Sequence, residues 1–140
     1  MSQEVTSSSV DTGHQALQAS GASLGREAAI EALLDRYEQP AHRGRLAAPA
    51  VSATATNPRC GDVVTMFAEV RAGVLTRVTF EGAGCTISQA AADLVAELAE
   101  GQSLEAVARL LPHDVLDLSV VRTRLDCASL ALRTLQQAIR

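Results

Sequence analysis

Four side chains of this 140-residue chain are of types that could do chemistry together: Cys60, Asp62, Cys85 and Cys127. A thiolate binds thiophilic metal ions and attacks sulfur. Near a helix N-terminus it meets partly positive backbone N–H groups, which favour the ionised form. Cys85, expected between a strand and a helix, and Cys127, expected in the first turn of the last helix, both have that placement. Asp62 follows Cys60 by two residues, and in an extended segment residues i and i+2 point the same way, so both can address one point. Three thiolates and one carboxylate form a four-ligand set of the kind tetrahedral zinc takes. Thiolate-rich sites equally suit iron–sulfur clusters. Three Cys of this kind are also compatible with small buried hydrophobes. No Cys-x-x-Cys pair is present, so spacing alone does not establish that they converge.

Glycine flanks these positions: Gly61 follows Cys60, and Gly82 and Gly84 precede Cys85. Glycine permits tight turns and close approach of a ligand or a second backbone. His42 and His113 are further candidate ligands but read as lone surface residues, and His14 is expected to have no role. Arg122 and Arg124, just before the third Cys, read as solvated, with thiolate support or anion docking as the functional alternative.

The elements expected to position these residues follow from patterning. Residues 1–24 are rich in Ser, Gly, Ala, Thr and Gln and read as a disordered tail, leaving one domain over 25–140. Ile30, Leu33, Leu34 and Tyr37 mark one face of an amphipathic helix that Pro40 stops. Ala50–Thr56, Val63–Val70 and Val74–Glu81 read as strands, the last two joined by the short turn Arg71-Ala72-Gly73 as a hairpin. Ile87–Ala99 is a helix with Leu94, Val95 and Leu98 on one face, ended near Gly101. Ser103 caps a short helix expected to run to Leu111, where Pro112 ends it. A final helix from about Arg124 to Arg140 carries Leu125, Ala128, Leu132, Leu135 and Ile139 along a stripe. Strands and helices are segregated, which predicts an α+β fold: a small three-stranded antiparallel sheet packed against an N-terminal helix and a C-terminal group of helices.

Bulk properties narrow the function classes. The formal net charge is −4 and aromatics make up 2% of the chain, which argues against nucleic-acid binding by a basic face or stacking platforms. All 12 basic residues counted as Lys or Arg are Arg, read as a composition bias. Three Cys, an odd number, suit a reducing compartment better than a disulfide framework. No membrane-length apolar run and no secretory leader pattern is evident, so a soluble, cytoplasmic protein is expected.

Three motifs resemble a known family. Asn57-Pro58-Arg59-Cys60-Gly61-Asp62, then Phe80-Glu81-Gly82-Ala83-Gly84-Cys85-Thr86-Ile87-Ser88, then Arg124-Leu125-Asp126-Cys127-Ala128-Ser129-Leu130-Ala131 resemble the U-type iron–sulfur scaffold proteins (the IscU, SufU and NifU N-terminal group). Tyr37 to Gly44 resembles that family's first-helix exit motif, and the likeness covers about residues 28–140. The resemblance implies a metal site at one end of the sheet, with Cys60, Asp62, Cys85 and Cys127 binding zinc or, transiently, a [2Fe–2S] cluster. It implies a pyridoxal-phosphate cysteine desulfurase as sulfur donor, and downstream cluster carriers or apo iron–sulfur proteins as recipients. The chain also departs from the family's branches. Asp126 stands where the IscU branch has a His, and Leu118 to Thr123 does not match that branch's Leu-Pro-Pro-Val-Lys motif. Arg124, three before Cys127, is SufU-like, but the insertion that branch carries between its second and third Cys is absent. Three functions are consistent with these features. The first is an assembly scaffold that accepts sulfur and passes on a cluster. The second is a zinc-dependent sulfurtransferase, with Cys60 or Cys127 accepting persulfide sulfur and Arg124 in support. The third is a zinc-stabilised adaptor without sulfur chemistry.

Overall fold

The computed structural model describes residues 22–121 and 124–140, with backbone only for 22–24. Most of the expected tail, together with His14 and Arg122, lies outside the described residues. The chain divides at Ala32/Leu33 into two compact units. In the first, the described residues are the N-terminal part of helix α1 (Ala22–Glu38). The second, from Leu33 onward, holds the sheet, the remaining helices and the candidate site.

The sheet has three antiparallel strands in sequential order: β1 (Val51–Asn57), β2 (Asp62–Arg71) and β3 (Val74–Ala83). The β2–β3 hairpin turns through Ala72 (φ 52°) and Gly73 (φ 77°), the paired positive dihedrals of a two-residue loop whose twist matches the strands. Period-2 alternation along β2 puts Val64, Met66 and Ala68 inward. Opposite them on β3 stand Gly82, Phe80 and Val78. Asp62 continues the same inward row at the strand's first residue and is fully buried.

Helices α2 (Thr86–Ala99) and α5 (Leu125–Ala138) cover that inner face. The core joins Val64, Met66 and Phe80 to Val95, Ala96 and Ala99 of α2 and to Leu132 and Leu135 of α5. On α2 the innermost residues are Ala90, Ala91, Ala92, Val95 and Ala96, while Leu94 and Leu98 are only half-buried. Small side chains bring the helix close to the sheet, and the larger residues fall at its margins. Two short helices, α3 (Leu104–Ala108) and α4 (Pro112–Val115), and a 3-10 turn (Leu118–Val120) link α2 to α5. Ser103 caps α3 as expected, its hydroxyl accepting from Ala106 N–H at 3.1 Å. The helix stops at Ala108 rather than Leu111. Pro112 opens the next helix instead of ending this one, since a first-turn proline sacrifices no intrahelical hydrogen bond.

Two apolar stripes are narrower than expected. Ile30, Leu34 and Tyr37 on α1 are exposed and Leu33 alone of that set is buried. On α5, Leu125 is exposed while Ala128, Leu132 and Leu135 are buried. No helix among the described residues is long and apolar enough to cross a membrane.

Candidate metal centre

The candidate side chains come from four places in the second unit, each fixed by a local rule. Cys60 sits in the four-residue connection between β1 and β2. Asn57 closes that connection: its carbonyl accepts from Cys60 N–H at 3.2 Å and Gly61 N–H at 2.9 Å, and its side-chain oxygen accepts from Arg59 N–H at 3.3 Å. Gly61 adopts φ 69°, the left-handed region glycine enters without strain. The expected reason for Cys60 and Asp62 to meet is therefore corrected. They are separated by a tight turn, not by extended backbone, and Cys60 is exposed while Asp62 is buried.

Asp62 opens β2 on its inner face. Next to it, Gly84 has φ 142°, and a Cβ there would overlap the Asp62 carboxylate. A Cβ on Gly82 would overlap the Val63 carbonyl oxygen. Both glycines of the Gly-x-Gly-Cys motif are thus needed for close approach of β3 to β2 and to the carboxylate. Cys85 is the N-cap of α2: its sulfur accepts from Ser88 N–H at 3.4 Å. Its backbone N–H donates to Asp62 Oδ1 at 2.7 Å and its thiol to Oδ2 at 3.8 Å. Cys127, in the first turn of α5, is buried, with its sulfur 3.2 Å from that of Cys60.

These positions converge. One ligand atom each from Cys60, Asp62 and Cys127 lies within 4.8 Å of the others; Cys85 is outside that group and meets it through Asp62, its thiol 3.8 Å from Oδ2. A tetrahedral zinc site with Zn–S near 2.3 Å has ligand atoms about 3.8 Å apart, so the 3.2 Å and 3.8 Å separations need only small adjustments. The donor set, three sulfurs and one carboxylate oxygen, fits a thiophilic ion.

Protonation is set by burial and local donors. Burial pushes the Asp62 carboxyl up, but the Cys85 N–H, the Cys127 and Cys85 thiols and Ser88 together outweigh it, leaving its pKa below the ordinary value. Cys127 goes the other way: burial first, then Asp62, Cys60 and Cys85, raises its pKa well above an ordinary thiol. The expectation that a helix N-terminus favours the thiolate is therefore reversed at Cys127, where desolvation wins. Arg124, exposed at the N-cap of α5, has its pKa raised by the nearby side chain of Cys85 first, then by Cys60 and Cys127. It is over the cluster rather than merely solvated.

His42 and His113 are not part of this cluster. His42 is largely buried, donating its backbone N–H to Asp93 Oδ1 at 2.7 Å, with its ring near Asp93 and Glu100. His113 is exposed beside Asp114. Two residues that sequence reasoning left without a role matter to the site. Ser88, fully buried, supports both Cys85 and Asp62. Asn57 builds the Cys60 loop and also donates to the Cys127 sulfur at 3.6 Å. The Asn-Pro pair ahead of Cys60 was the available signal, because Asn closes turns through its own side chain.

Comparison with known proteins agrees with this architecture. A relative from Thermotoga maritima, named an iron–sulfur cluster assembly scaffold protein IscU, is 30% identical over 129 residues, covering 79% of this chain and 91% of that protein. One from Bacillus subtilis, named a zinc-dependent sulfurtransferase SufU, is 22% identical, covering 78% of this chain and 87% of that protein. The crystal structure of the N-terminal part of a NifU-like protein from Brucella abortus superposes with a TM-score of 0.67 at 23% identity, covering 79% of this chain and 90% of that one. The family model of the NifU-like N terminal domain matches residues 29–140, and with the α+β fold and its three motifs in place the chain belongs to that family.

Proposed function

We propose that this protein is an iron–sulfur cluster assembly scaffold, with Cys60, Asp62, Cys85 and Cys127 as the cluster-building site. The observation that carries this reading is the meeting of all three cysteines with a buried carboxylate at one end of the sheet. Relatives named as scaffolds and as a zinc-dependent sulfurtransferase support it. A cysteine desulfurase is the sulfur donor, and iron and sulfide are substrates rather than resident groups. Zinc, when bound before assembly, would supply charge compensation that keeps the thiolates deprotonated.

The residues divide the work by accessibility. Cys60 is exposed on a turn, so it is the thiol a partner reaches first. Sulfur transfer is attack by its thiolate on the outer sulfur of a donor persulfide: one S–S bond forms, one breaks, and the donor cysteine leaves as thiolate. Cys127, buried and 3.2 Å away, is the second acceptor candidate. Arg124 stabilises anionic sulfur at the mouth of the site. Asp62, a harder ligand than thiolate, makes the finished cluster easier to release.

A sulfurtransferase that keeps zinc throughout is the second reading, favoured by the exposure of Cys60 beside two anchored thiols. One experiment separates the two. The protein is incubated without oxygen with a cysteine desulfurase, cysteine, ferrous iron and reductant, and visible spectra, bound metal and desulfurase turnover are followed. A thiolate-to-iron chromophore that transfers to an apo acceptor is the expected result. Strong stimulation of turnover with zinc retained and no chromophore would establish the transferase instead. Tight zinc with neither effect would reduce the protein to an adaptor.

A further inference from the structure

The Asn57 side chain is wedged between the loop that carries Cys60 and the helix that carries Cys127. It is 8% exposed. Its orientation is determined by its neighbours: Arg59 N–H is a donor, so the group 3.3 Å from it must be Oδ1, which turns Nδ2 towards Cys127 Sγ at 3.6 Å. The same residue's carbonyl holds Cys60 N–H and Gly61 N–H. Asn57 is thus tied by hydrogen bonds to one candidate ligand's backbone and another's sulfur. It also faces the third across the sheet, since Asn57 pairs with Asp62 in the β1–β2 register.

An amide N–H directed at sulfur withdraws electron density from the lone pair that would bind metal. It also fixes the side chain's direction, as outer partners of metal ligands do. Cys85, half-buried, is held differently: its sulfur receives a backbone N–H, from Ser88, which substitution cannot delete. Cys127 instead receives a side-chain N–H, from Asn57, which substitution can delete. Resting on the metal-site reading above, we propose that Asn57 is a positioning residue that holds Cys127 towards Cys60 and tempers its sulfur as a ligand. The β1–β2 loop and α5 are thereby coupled through one amide.

The test uses Asn57→Ser in the full chain. Serine retains an acceptor for Arg59 N–H and the turn, but its hydroxyl is too short to reach Cys127. Cobalt(II) alone is the metal probe. In Asn57→Ser the sulfur-to-cobalt charge-transfer band should move to lower energy, and cobalt loss to a chelator should be about ten-fold faster. In the metal-free protein, the alkylation rate of Cys127 relative to Cys60, read by mass spectrometry, should differ from wild type. A melting temperature near wild type shows that the fold is retained. If it is not, Asn57→Thr, which keeps a short neutral acceptor and removes the N–H, serves the same comparison. An unchanged band, release rate and alkylation ratio in a folded variant would overturn the proposal. If wild type itself gives no sulfur-to-cobalt band, the metal-site reading fails, and the metal-free alkylation ratio decides the role of Asn57 separately.

Discussion

Asp62 and Cys127 sit side by side yet have opposite protonation preferences. The carboxyl is held ionised by four hydrogen-bond donors, whereas the thiol is held neutral by burial beside that carboxylate. Under the proposed function, metal uptake would displace the Cys127 proton, with the Asp62 carboxylate already ionised. Removing it leaves three sulfurs, which hold iron more persistently than a mixed set. Asp62→Ala should lengthen the lifetime of a reconstituted cluster, followed as decay of the visible absorbance. A variant that loses its cluster faster than wild type would sink the idea. The thiol makes a second prediction in the metal-free state. An unfolded cysteine ionises near 9.0 and the folded one resists, so folding is penalised above that pH. The contribution of Cys127 to stability is fully present below pH 9.0 and is lost as pH rises beyond it, at about 1.4 kcal/mol per pH unit. Urea midpoints near neutrality and at about pH 10 should differ in wild type and much less in Cys127→Ser.

The segment leaving α1 is anchored with similar economy. Asp93, 1% exposed in α2, accepts from Arg36 Nη1 at 2.8 Å and from His42 N–H at 2.7 Å. Residues 42–44 then run beside β3, with Phe80 N–H donating to His42 O at 3.0 Å and Gly44 N–H to Phe80 O at 2.8 Å. Arg43 donates to Gly82 O at 2.6 Å and lies over the Phe80 ring. The exit motif noticed in the sequence is therefore an ordered strap on the outer edge of the sheet, one residue pair from the glycines that admit Asp62. Removing Arg36 leaves a buried carboxylate with one fewer charge-assisted bond, a loss of about 1–3 kcal/mol. Arg36→Ala should lower the urea midpoint accordingly without changing which metal binds. Unchanged stability would mean that His42 N–H alone satisfies Asp93.

Across the second unit, the candidate centre ties together the β1–β2 loop, the start of β2, and the N-termini of α2 and α5. These are far apart in sequence. A ligand that binds only the folded form stabilises it by mass action, about 4 kcal/mol at a thousand-fold excess over Kd. Zinc added to the metal-free protein should raise the melting temperature, and a chelator should reverse the gain. Cys85→Ser should blunt the response while leaving the metal-free melt close to wild type. A melting temperature indifferent to zinc would show that the four elements do not share an ion.

Much of this molecule is local in origin and could be read from residue order. Ala72-Gly73 marks the hairpin, Ser103 caps its helix, and the β-branched character of Val63–Val70 marks the second strand, because these features depend on neighbours a few residues away. The positions of Cys85 and Cys127 at helix starts were legible for the same reason. The lengths of α3 and α4, the exposure of Leu34 and Leu125, and the protonation of Cys127 were not. Each depends on what the folded chain lays over the residue, and a hydrophobic stripe is buried only where another element covers it. Convergence of three distant cysteines on Asp62 is the clearest case. Their types announced thiolate chemistry, but no spacing rule links positions so far apart in the chain. They are brought together by the sheet register, by two glycines that admit the carboxylate, and by the packing of α2 and α5 on one face.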